Sequence, residues 1–474
     1  MQYFSTRGGI KSISFTEAVM MGLAEDGGLL LPRTIPRLGS ETINSWENLD
    51  YHELAYEIMR RFIEDIPESD LKDIIFKSYE NFGHKKITPI VKKGDLYIME
   101  LFHGPTLAFK DVALQFLGNL FEYLLKKNGQ VLNILGATSG DTGSAAIYGV
   151  RGKKNINIFI LHPHERISPV QERQMTTVMD ENVFNIAIRG TFDDGQSLVK
   201  QIFNDLEFKQ EFNLGAINSI NWARVLAQVV YYVHAFLYLR KNEETATVDF
   251  AVPTGNFGDI FAGYIARKLL PEGSIRKLIL ATNSNDILTR FVKEGDYSLS
   301  EVKATSSPSM DIQAASNFER YLYYLMDSEA AKTKEMMEEF AENGKLDLSR
   351  YQDTISRDFS AAAVNEEEVL ETIKGFAEEY DYILDPHTAV GVKAALDMKK
   401  QGVATICLAT AHPAKFGGAV AKATGQEAEL PASLADLMSR EAKCKIMDND
   451  AEQIKAYLRA KSIKAEIQPA PAGD

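Results

Sequence analysis

A lysine stands inside a run of the chain that otherwise looks buried. Lys110 lies in HGPTLAFKDVALQF, and apolar residues recur at helical spacing from Thr106 to Leu125. A proline and a threonine favour a helix start at Thr106. Two interpretations stay open for Lys110. Its ammonium reaches solvent or pairs with a carboxylate such as Asp111, or it is a desolvated amine, neutral part of the time, that can attack a carbonyl carbon.

A first junction between a predicted strand and a predicted helix has the composition of an anion site. In GATSGDTGSAAI, glycines are interleaved with Thr138, Ser139, Asp141 and Thr142. Backbone N–H groups and hydroxyls at a helix start bind carboxylate or phosphate. The segment has neither the lysine of a Walker loop nor the spacing of a dinucleotide fingerprint. A plain glycine-rich turn is the alternative interpretation.

A second junction, PTGNFGD, offers a short loop without a cationic side chain. The loop lies between a predicted strand and an apolar helix and consists of Gly255, Asn256, Phe257, Gly258 and Asp259. A phosphate in this loop would be bound by backbone N–H groups and the helix dipole. A tight turn explains the glycines equally well.

A third junction, NSINWARV, brings Asn218, Ser219, Asn221 and Arg224 within about two helical turns of one another. Arginine can bind phosphate through two parallel hydrogen bonds. The alternative is a capped helix with a solvated or ion-paired arginine.

Together with Lys110, the loops suggest pyridoxal 5'-phosphate, which needs a lysine for its aldehyde, a cradle for its phosphate and a partner for its ring nitrogen.

Composition limits the class of protein. The chain has 474 residues, 45% hydrophobic and 25% charged, which is typical of a soluble globular protein with two or three domains. A formal net charge of -14 argues against nucleic acid and anionic membrane surfaces as partners. The only cysteines, Cys407 and Cys444, exclude a disulfide framework and a cysteine-based zinc site. His162 and His164 lack further ligands at suitable spacing, so we expect no metal.

The same sequence predicts where the protein resides. No apolar run is long enough to cross a bilayer, and the first residues, MQYFSTRGGIKSISF, lack the apolar core of a signal peptide. We therefore expect a cytoplasmic protein without a membrane partner. For the oligomeric state, our expectation is no finer than a monomer or a homodimer.

Short apolar segments alternate with predicted helices from residue 96 onward. They are LYIMELF, VLNILGAT, NINIFILHP, VFNIAIRG, TVDFAVPTGN, RKLILATN and ATICLATAHP. Such alternation predicts an α/β fold with mostly parallel sheets. Ligands of these folds bind beyond the carboxyl ends of the strands, where the three junctions lie. The segment EIQPAPAGD looks like a loose tail.

A set of motifs resembles one enzyme family. YFSTRGG, HGPTLAFKD, TSGDTG, SPVQERQM, NSIN followed by Arg224, PTGNFGD, DPHTAVG and TAHPAKF occur in this order. The chain resembles threonine synthases of the shorter, bacterial and fungal type over nearly its whole length. The resemblance implies the type II pyridoxal-phosphate fold, which is tryptophan synthase β-like, with two open parallel-sheet domains and a small N-terminal domain. It also implies conversion of O-phospho-L-homoserine and water to L-threonine and phosphate.

The pattern and the resemblance together predict domain bounds. The helical, acidic pattern between about Lys293 and Glu379 indicates an insertion or a second helical layer. The bounds are an N-terminal domain at 1–92, a large pyridoxal-phosphate domain at 93–130 and 216–430 with a helical insertion at about 293–379, a small domain at 131–215 and a C-terminal segment at 431–474.

The resemblance assigns roles to the candidate residues. Lys110 matches the family's catalytic Schiff-base lysine, and Thr410 resembles the hydroxyl that faces the pyridine nitrogen. Asp141 takes a place beside the ring oxygen where longer relatives have asparagine. The cofactor-phosphate loop matches Gly255, Asn256, Phe257, Gly258 and Asp259. The substrate-binding residues match Thr138, Ser139 and Thr142, and those that hold the substrate's phosphate match Asn218, Ser219 and Arg224.

Rival functions stay open. A dehydratase of the same fold, or a phospholyase that forms a keto acid and ammonia, would keep Lys110 and the phosphate loop. A catalytically silent relative that acts by binding is the alternative outside enzymes. Several motif residues have no assigned role, and we expect the histidines among them to be structural: His103, His387, His412, Arg166, Arg173, Asp385 and Lys415.

Overall fold

The computed structural model describes residues 1–464, so the predicted loose tail lies outside the described residues. The strands are β1 Tyr3–Ser5, β2 Leu30–Pro32, β3 Ile90–Lys93, β4 Leu96–Glu100, β5 Leu132–Ala137, β6 Ile156–Pro163, β7 Val183–Arg189, β8 Leu214–Gly215, β9 Val248–Pro253, β10 Ile275–Thr282, β11 Asp296–Ser298, β12 Lys345–Asp347, β13 Phe359–Ala363, β14 Ala404–Ala409 and β15 Lys445–Asp448.

The α-helices follow the strands in alternation along most of the chain. They are α1 Phe15–Met21, α2 Ser40–Trp46, α3 Tyr51–Met59, α4 Glu68–Tyr79, α5 Lys110–Asn128, α6 Asp141–Val150, α7 Pro169–Thr176, α8 Phe192–Asn204, α9 Leu206–Glu211, α10 Trp222–Asn242, α11 Gly258–Leu269, α12 Ile287–Glu294, α13 Phe318–Leu325, α14 Ala330–Asn343, α15 Gln352–Asp358, α16 Glu366–Tyr380, α17 Pro386–Met398, α18 Gly417–Thr424 and α19 Ala451–Lys461. Within residues 1–464, no helix is both long and apolar enough to span a bilayer.

The chain divides into two compact units. The first comprises residues 1–116 and 218–430, and the second comprises residues 117–217 and, of the described residues, 431–464. The boundary at 116/117 falls inside α5. The finer division into four parts given above stays a prediction.

The first unit is built on a six-stranded sheet with the order β13-β10-β9-β14-β4-β3. All neighbours are parallel except β3, which runs antiparallel to β4. Every residue of β9 is buried, as expected for a parallel strand covered on both faces. Because β4, β9 and β14 lie side by side, the loops after them leave the sheet at one edge. These loops carry Lys110, Gly255 and Thr410.

The second unit is built on a five-stranded, all-parallel sheet with the order β15-β7-β6-β5-β8. All eight residues of β6 are buried. The helix α6 begins at Asp141, directly after the hydroxyl-rich loop that follows β5.

The predicted α/β class with parallel sheets is confirmed. The seven predicted strand segments correspond to β4, β5, β6, β7, β9, β10 and β14. The region at about 293–379, predicted to be helical, also contains strands β11 to β13, and β13 forms an edge of the first unit's sheet.

The predicted helix start at Thr106 is wrong, because α5 begins at Lys110. Leu107 has a φ of 60°, a left-handed conformation that interrupts a right-handed helix. Residues 107–109 instead pair with the segment after β14, through a bridge between Ala108 and Ala411. Apolar residues keep helical spacing across residues 107–109. The sequence pattern therefore gave no sign that these residues pair with a distant segment.

Candidate active site

Backbone pairing places Lys110 beside Thr410. The N–H of Phe109 donates to the carbonyl of Thr410 at 2.8 Å, and the N–H of His412 donates to the carbonyl of Leu107 at 3.0 Å. Leu107 holds its left-handed conformation in this pairing, and non-glycine residues in that region are enriched at functional sites. Lys110 therefore starts α5 next to the end of β14.

A buried pair of charged side chains fixes the turn before Lys110. The N–H and the hydroxyl of Thr106 donate to the carboxylate of Asp111 at 2.8 and 2.6 Å. Lys415 Nζ donates to the carbonyl of Thr106 at 2.6 Å. Asp111 and Lys415 are both fully buried. Burial raises the pKa of Asp111 to about 6 against the opposing effects of Thr106 and Lys415.

The Lys110 side chain is 8% exposed and belongs to a chain of polar contacts. Its Nζ donates to Ser309 Oγ at 3.4 Å, and the N–H of Ser309 donates to His387 Nε2 at 3.3 Å. Since Nε2 accepts, the ring proton lies on Nδ1, which is 3.0 Å from Asp385 Oδ1. His387 is thus a neutral, oriented imidazole between a backbone N–H and a carboxylate.

The same carboxylate connects this chain of contacts back to Thr410. Asp385 caps α17, accepting from the N–H groups of His387 and Thr388 at 2.9 and 3.3 Å. The Thr388 hydroxyl donates to Asp385 and accepts from the N–H of Thr410 at 3.1 Å. Lys110 and Thr410 are therefore joined twice, by backbone pairing and by this path of side chains.

The predicted phosphate loop after β9 is tightly packed. A Cβ atom at Gly255 would lie 2.8 Å from the carbonyl oxygen of Ser309, so this position requires glycine. Phe257 is buried and has a φ of 62°. The loop then enters α11 at Gly258, whose first-turn N–H groups have no partner inside the helix. The Asp259 carboxylate accepts hydrogen bonds from two tyrosine hydroxyls of α10, and burial raises its pKa to about 6.

Asn317 and Arg320 hold this loop against the NSIN segment. The N–H of Asn317 donates to the carbonyl of Asn256 at 3.0 Å, and its Nδ2 donates to the carbonyl of Ser219 at 3.3 Å. Arg320 donates to the Asn317 side chain and to the carbonyl of Ile220. The two predicted anion sites of the first unit are thus neighbours.

Arg224 is a buried cation with free donors. It lies in the first turn of α10, which Asn221 caps, and is 5% exposed. Within residues 1–464, its Nε and Nη1 have no hydrogen-bond partner. Burial lowers the pKa of Arg224 to about 10. Buried donors are nearly always satisfied, and a bound anion would satisfy these two.

The hydroxyl-rich loop belongs to the second unit. Thr138 Oγ1 accepts from the N–H groups of Gly140 and Gly143 at 3.0 and 2.9 Å, which fixes the entry to α6. Ser139, in the same loop, and Thr142, in the first turn of α6, are half-buried.

Asp141, the first residue of α6, is also held inside the second unit. It is 5% exposed, and its Oδ1 accepts from Gln171 Nε2 at 2.8 Å. Gly140 before it has a φ of 140°, and a Cβ there would lie 2.4 Å from the Gln171 side chain. Asp141 therefore has a fixed orientation.

The remaining motif residues have structural contacts. His412 Nδ1 accepts from a backbone N–H at 3.2 Å, and burial lowers its pKa to about 4. His103 lies 2.7 Å from a carboxylate oxygen of Glu100. Arg173 donates to the carbonyl of Met438 at 3.2 Å, inside the second unit, whereas Arg166 is exposed. In the described part of the chain, no three His, Cys, Asp or Glu side chains could hold a metal ion.

The first unit fits pyridoxal phosphate. It combines the buried amine of Lys110 with Gly255, which has no room for a Cβ and lies just before a helix. It also contains Thr410, whose backbone is hydrogen-bonded to the turn that carries Lys110. The sequence did not reveal Ser309, Thr388, Asn317 or Arg320. For Ser309, the only local indication in the sequence was the hydroxyl-rich segment TSSPSMD that contains it.

Comparison with known proteins identifies the class. Residues 84–405 match the family described as "Pyridoxal-phosphate dependent enzyme". This match covers more than half of the chain and defines a pyridoxal-phosphate-dependent enzyme of the type II fold. Residues 2–79 match "Threonine synthase N terminus", and residues 388–458 match "Threonine synthase, C-terminal". The chain belongs to the threonine synthase family.

Individual relatives agree over the whole chain. A threonine synthase of Pseudomonas aeruginosa is 47% identical over 464 residues, which cover 97% of this chain and 98% of that protein. A crystal structure of pyridoxal-phosphate-bound threonine synthase from Brucella melitensis superposes with a TM-score of 0.94, at 44% identity, covering 98% and 99% of the two chains. The yeast enzyme gives a TM-score of 0.93 at 46% identity, covering 97% and 98%. The predicted family, fold and cofactor are confirmed.

Proposed function

We propose that this protein converts O-phospho-L-homoserine and water to L-threonine and inorganic phosphate. The reaction removes phosphate from Cγ of the substrate and adds water at Cβ. It requires a base that reaches Cα and Cβ in turn, and a cation that stabilises the phosphate as it leaves.

The observation that carries the proposal is the buried Arg224 guanidinium. Its Nε and Nη1 lack hydrogen-bond partners within residues 1–464. Arg224 lies in the same unit as Lys110. A serine or threonine dehydratase acts on substrates without a phosphate and has no need of such a cation. Asn218 and Ser219, in the segment before α10, are proposed to add an amide and a hydroxyl to the same phosphate.

The chemistry assigned to Lys110 follows from its surroundings. Pyridoxal phosphate, when bound, supplies an aldehyde for amines and a ring that stabilises negative charge on carbon. Lys110 Nζ, as a neutral amine, would take the proton from Cα and give it up before it takes one from Cβ; a proton returns to Cγ after the phosphate has left, and to Cα before threonine is released. Burial keeps this amine away from bulk solvent. Arg224 holds the departing phosphate, where negative charge grows.

The remaining assignments are part of the proposal. The turn from Gly255 to Asp259 would hold the cofactor's phosphate by backbone N–H groups, and Thr410 would place its hydroxyl at the ring nitrogen. Asp141 would contact the ring oxygen. Thr138, Ser139 and Thr142 would bind the substrate.

The test is incubation of the pyridoxal-phosphate-loaded protein with O-phospho-L-homoserine, measuring threonine and phosphate together. We expect equal amounts of the two products, and neither product with Lys110→Ala. Formation of a keto acid and ammonia in place of threonine would establish the phospholyase alternative. A protein that binds the cofactor and releases no phosphate would be the silent relative.

A further inference from the structure

A hydroxyl that the proposed reaction has not used faces the Lys110 amine. Ser309 Oγ lies 3.4 Å from Lys110 Nζ, at the long end of hydrogen-bond distances. Contacts around a catalytic amine are often long before substrate binds. Ser309 belongs to a single turn of 3-10 helix, Pro308–Met310, in the segment between α12 and α13.

Three independent contacts fix this turn. The N–H of Ser309 donates to the neutral, oriented His387 at 3.3 Å. The carbonyl oxygen of Ser309 packs closely against Gly255. A Cβ atom at Gly255 would lie only 2.8 Å from this oxygen. Two residues further on, Asp311 accepts from the N–H and the hydroxyl of Thr305 at 2.9 and 2.7 Å. The backbone of Ser309 is therefore held in place, and its hydroxyl bonds to Lys110 from this fixed position.

We infer that Ser309 is a further catalytic residue, whose hydroxyl accepts an N–H of the Lys110 amine whenever that amine is released. A neutral amine has two N–H groups and one lone pair. When Oγ accepts one N–H, the lone pair has a defined direction toward the substrate carbons. Ser309 neither gains nor loses a proton in this role, so the balance of the reaction is unchanged. The inference rests on the proposed role of Lys110.

The chain offers a matched control three residues away. Ser306 lies in the same segment, and its hydroxyl donates to Glu366 at 3.2 Å. We expect Ser309→Ala to lower kcat by about tenfold, the factor that one hydrogen bond of ordinary strength represents. KM should change little, because in this inference the hydroxyl acts on the Lys110 amine and not on the substrate. Ser306→Ala should leave both constants unchanged, and Ser309→Thr should recover part of the loss.

A second measurement does not depend on the substrate. Cofactor-free protein is mixed with pyridoxal phosphate, quenched with borohydride at intervals, and the modified Lys110 peptide is quantified by mass spectrometry. Attachment should be slower in Ser309→Ala than in the wild type and in Ser306→Ala, by about fivefold for an amine that has lost one orienting hydrogen bond. If Ser309→Ala fails to fold, Ser309→Cys preserves the size and is expected to show the same loss.

The outcomes separate this inference from the proposed function. Wild-type attachment and turnover in Ser309→Ala would overturn the role of Ser309. So would equal slowing in Ser306→Ala, because the packing of the segment would then be responsible. If the wild type forms no threonine but Ser309→Ala still slows attachment, the proposed function fails and the inference about Ser309 stands.

Discussion

Replacing Arg224 by methionine is expected to stabilise the fold and to abolish phosphate recognition. Burial lowers the pKa of this guanidinium from 12.5 to about 10. At about 1.36 kcal/mol per pKa unit, holding the charge in this site costs about 3 kcal/mol. Methionine has a similar length and carries no charge, so part of that cost should be recovered. After allowing for imperfect packing, we expect the free energy of unfolding to rise by about 2 kcal/mol.

Arg320 provides the control, because it is a second buried arginine with satisfied donors. It donates to the carbonyls of Leu30 and Ile220 and to the side chain of Asn317. Burial lowers the pKa of Arg320 further, to about 9, but Arg320→Met would also leave all of these buried acceptors without a partner. Because the lost hydrogen bonds to a charged donor outweigh the recovered cost of burying the charge, the free energy of unfolding should fall by about 3 kcal/mol. The same substitution thus has opposite signs at the two positions.

The assay is urea unfolding with and without millimolar inorganic phosphate. Phosphate should stabilise the wild type, since a ligand of the native state adds to its stability, and should have little effect on Arg224→Met. Turnover of O-phospho-L-homoserine by Arg224→Met should fall by at least a hundredfold, as expected when a charged hydrogen-bond partner of the leaving group is lost. An Arg224→Met protein that is less stable than the wild type yet still protected by phosphate would refute this account of Arg224.

Two further changes test the packing of the loop and the response to acid. Gly255→Ala should weaken pyridoxal-phosphate binding at least tenfold by titration, because its Cβ would lie 2.8 Å from Ser309 O and 3.2 Å from Met310 Cα. Gly39→Ala, with nothing within 4 Å, should bind normally. Burial lowers the pKa of His234 from 6.5 to about 4. The unfolded chain therefore binds the extra proton, and His234 should account for a fall of about 2 kcal/mol in the free energy of unfolding from pH 7 to pH 5. An acid limb equally steep in His234→Gln would contradict this assignment.

The sequence predicted best what depends on local pattern. Largely apolar runs such as those of β6 and β9 indicate buried parallel strands, and the glycine at 255 marks a turn that leaves no room for a side chain. The predicted start of α5 was wrong by four residues. The bridge to Ala411 that replaces the first helical turn involves a segment about three hundred residues away in the chain. Ser309 and Arg320 were missed for the same reason. Their significance arises only from partners that are remote in sequence.

Local costs at four residues of the first unit also support a functional interpretation of its loops. Leu107 and Phe257 adopt left-handed conformations, each at a cost of about 1 kcal/mol or more. Arg224 and Asp259 are buried charged groups with atoms that lack partners among residues 1–464. Single substitutions could relieve several of these costs without disturbing the sheet. Their persistence on these turns and helix starts is explained if anions and an amine-reactive cofactor bind there, because binding satisfies the donors and offsets the strain that folding alone leaves in place.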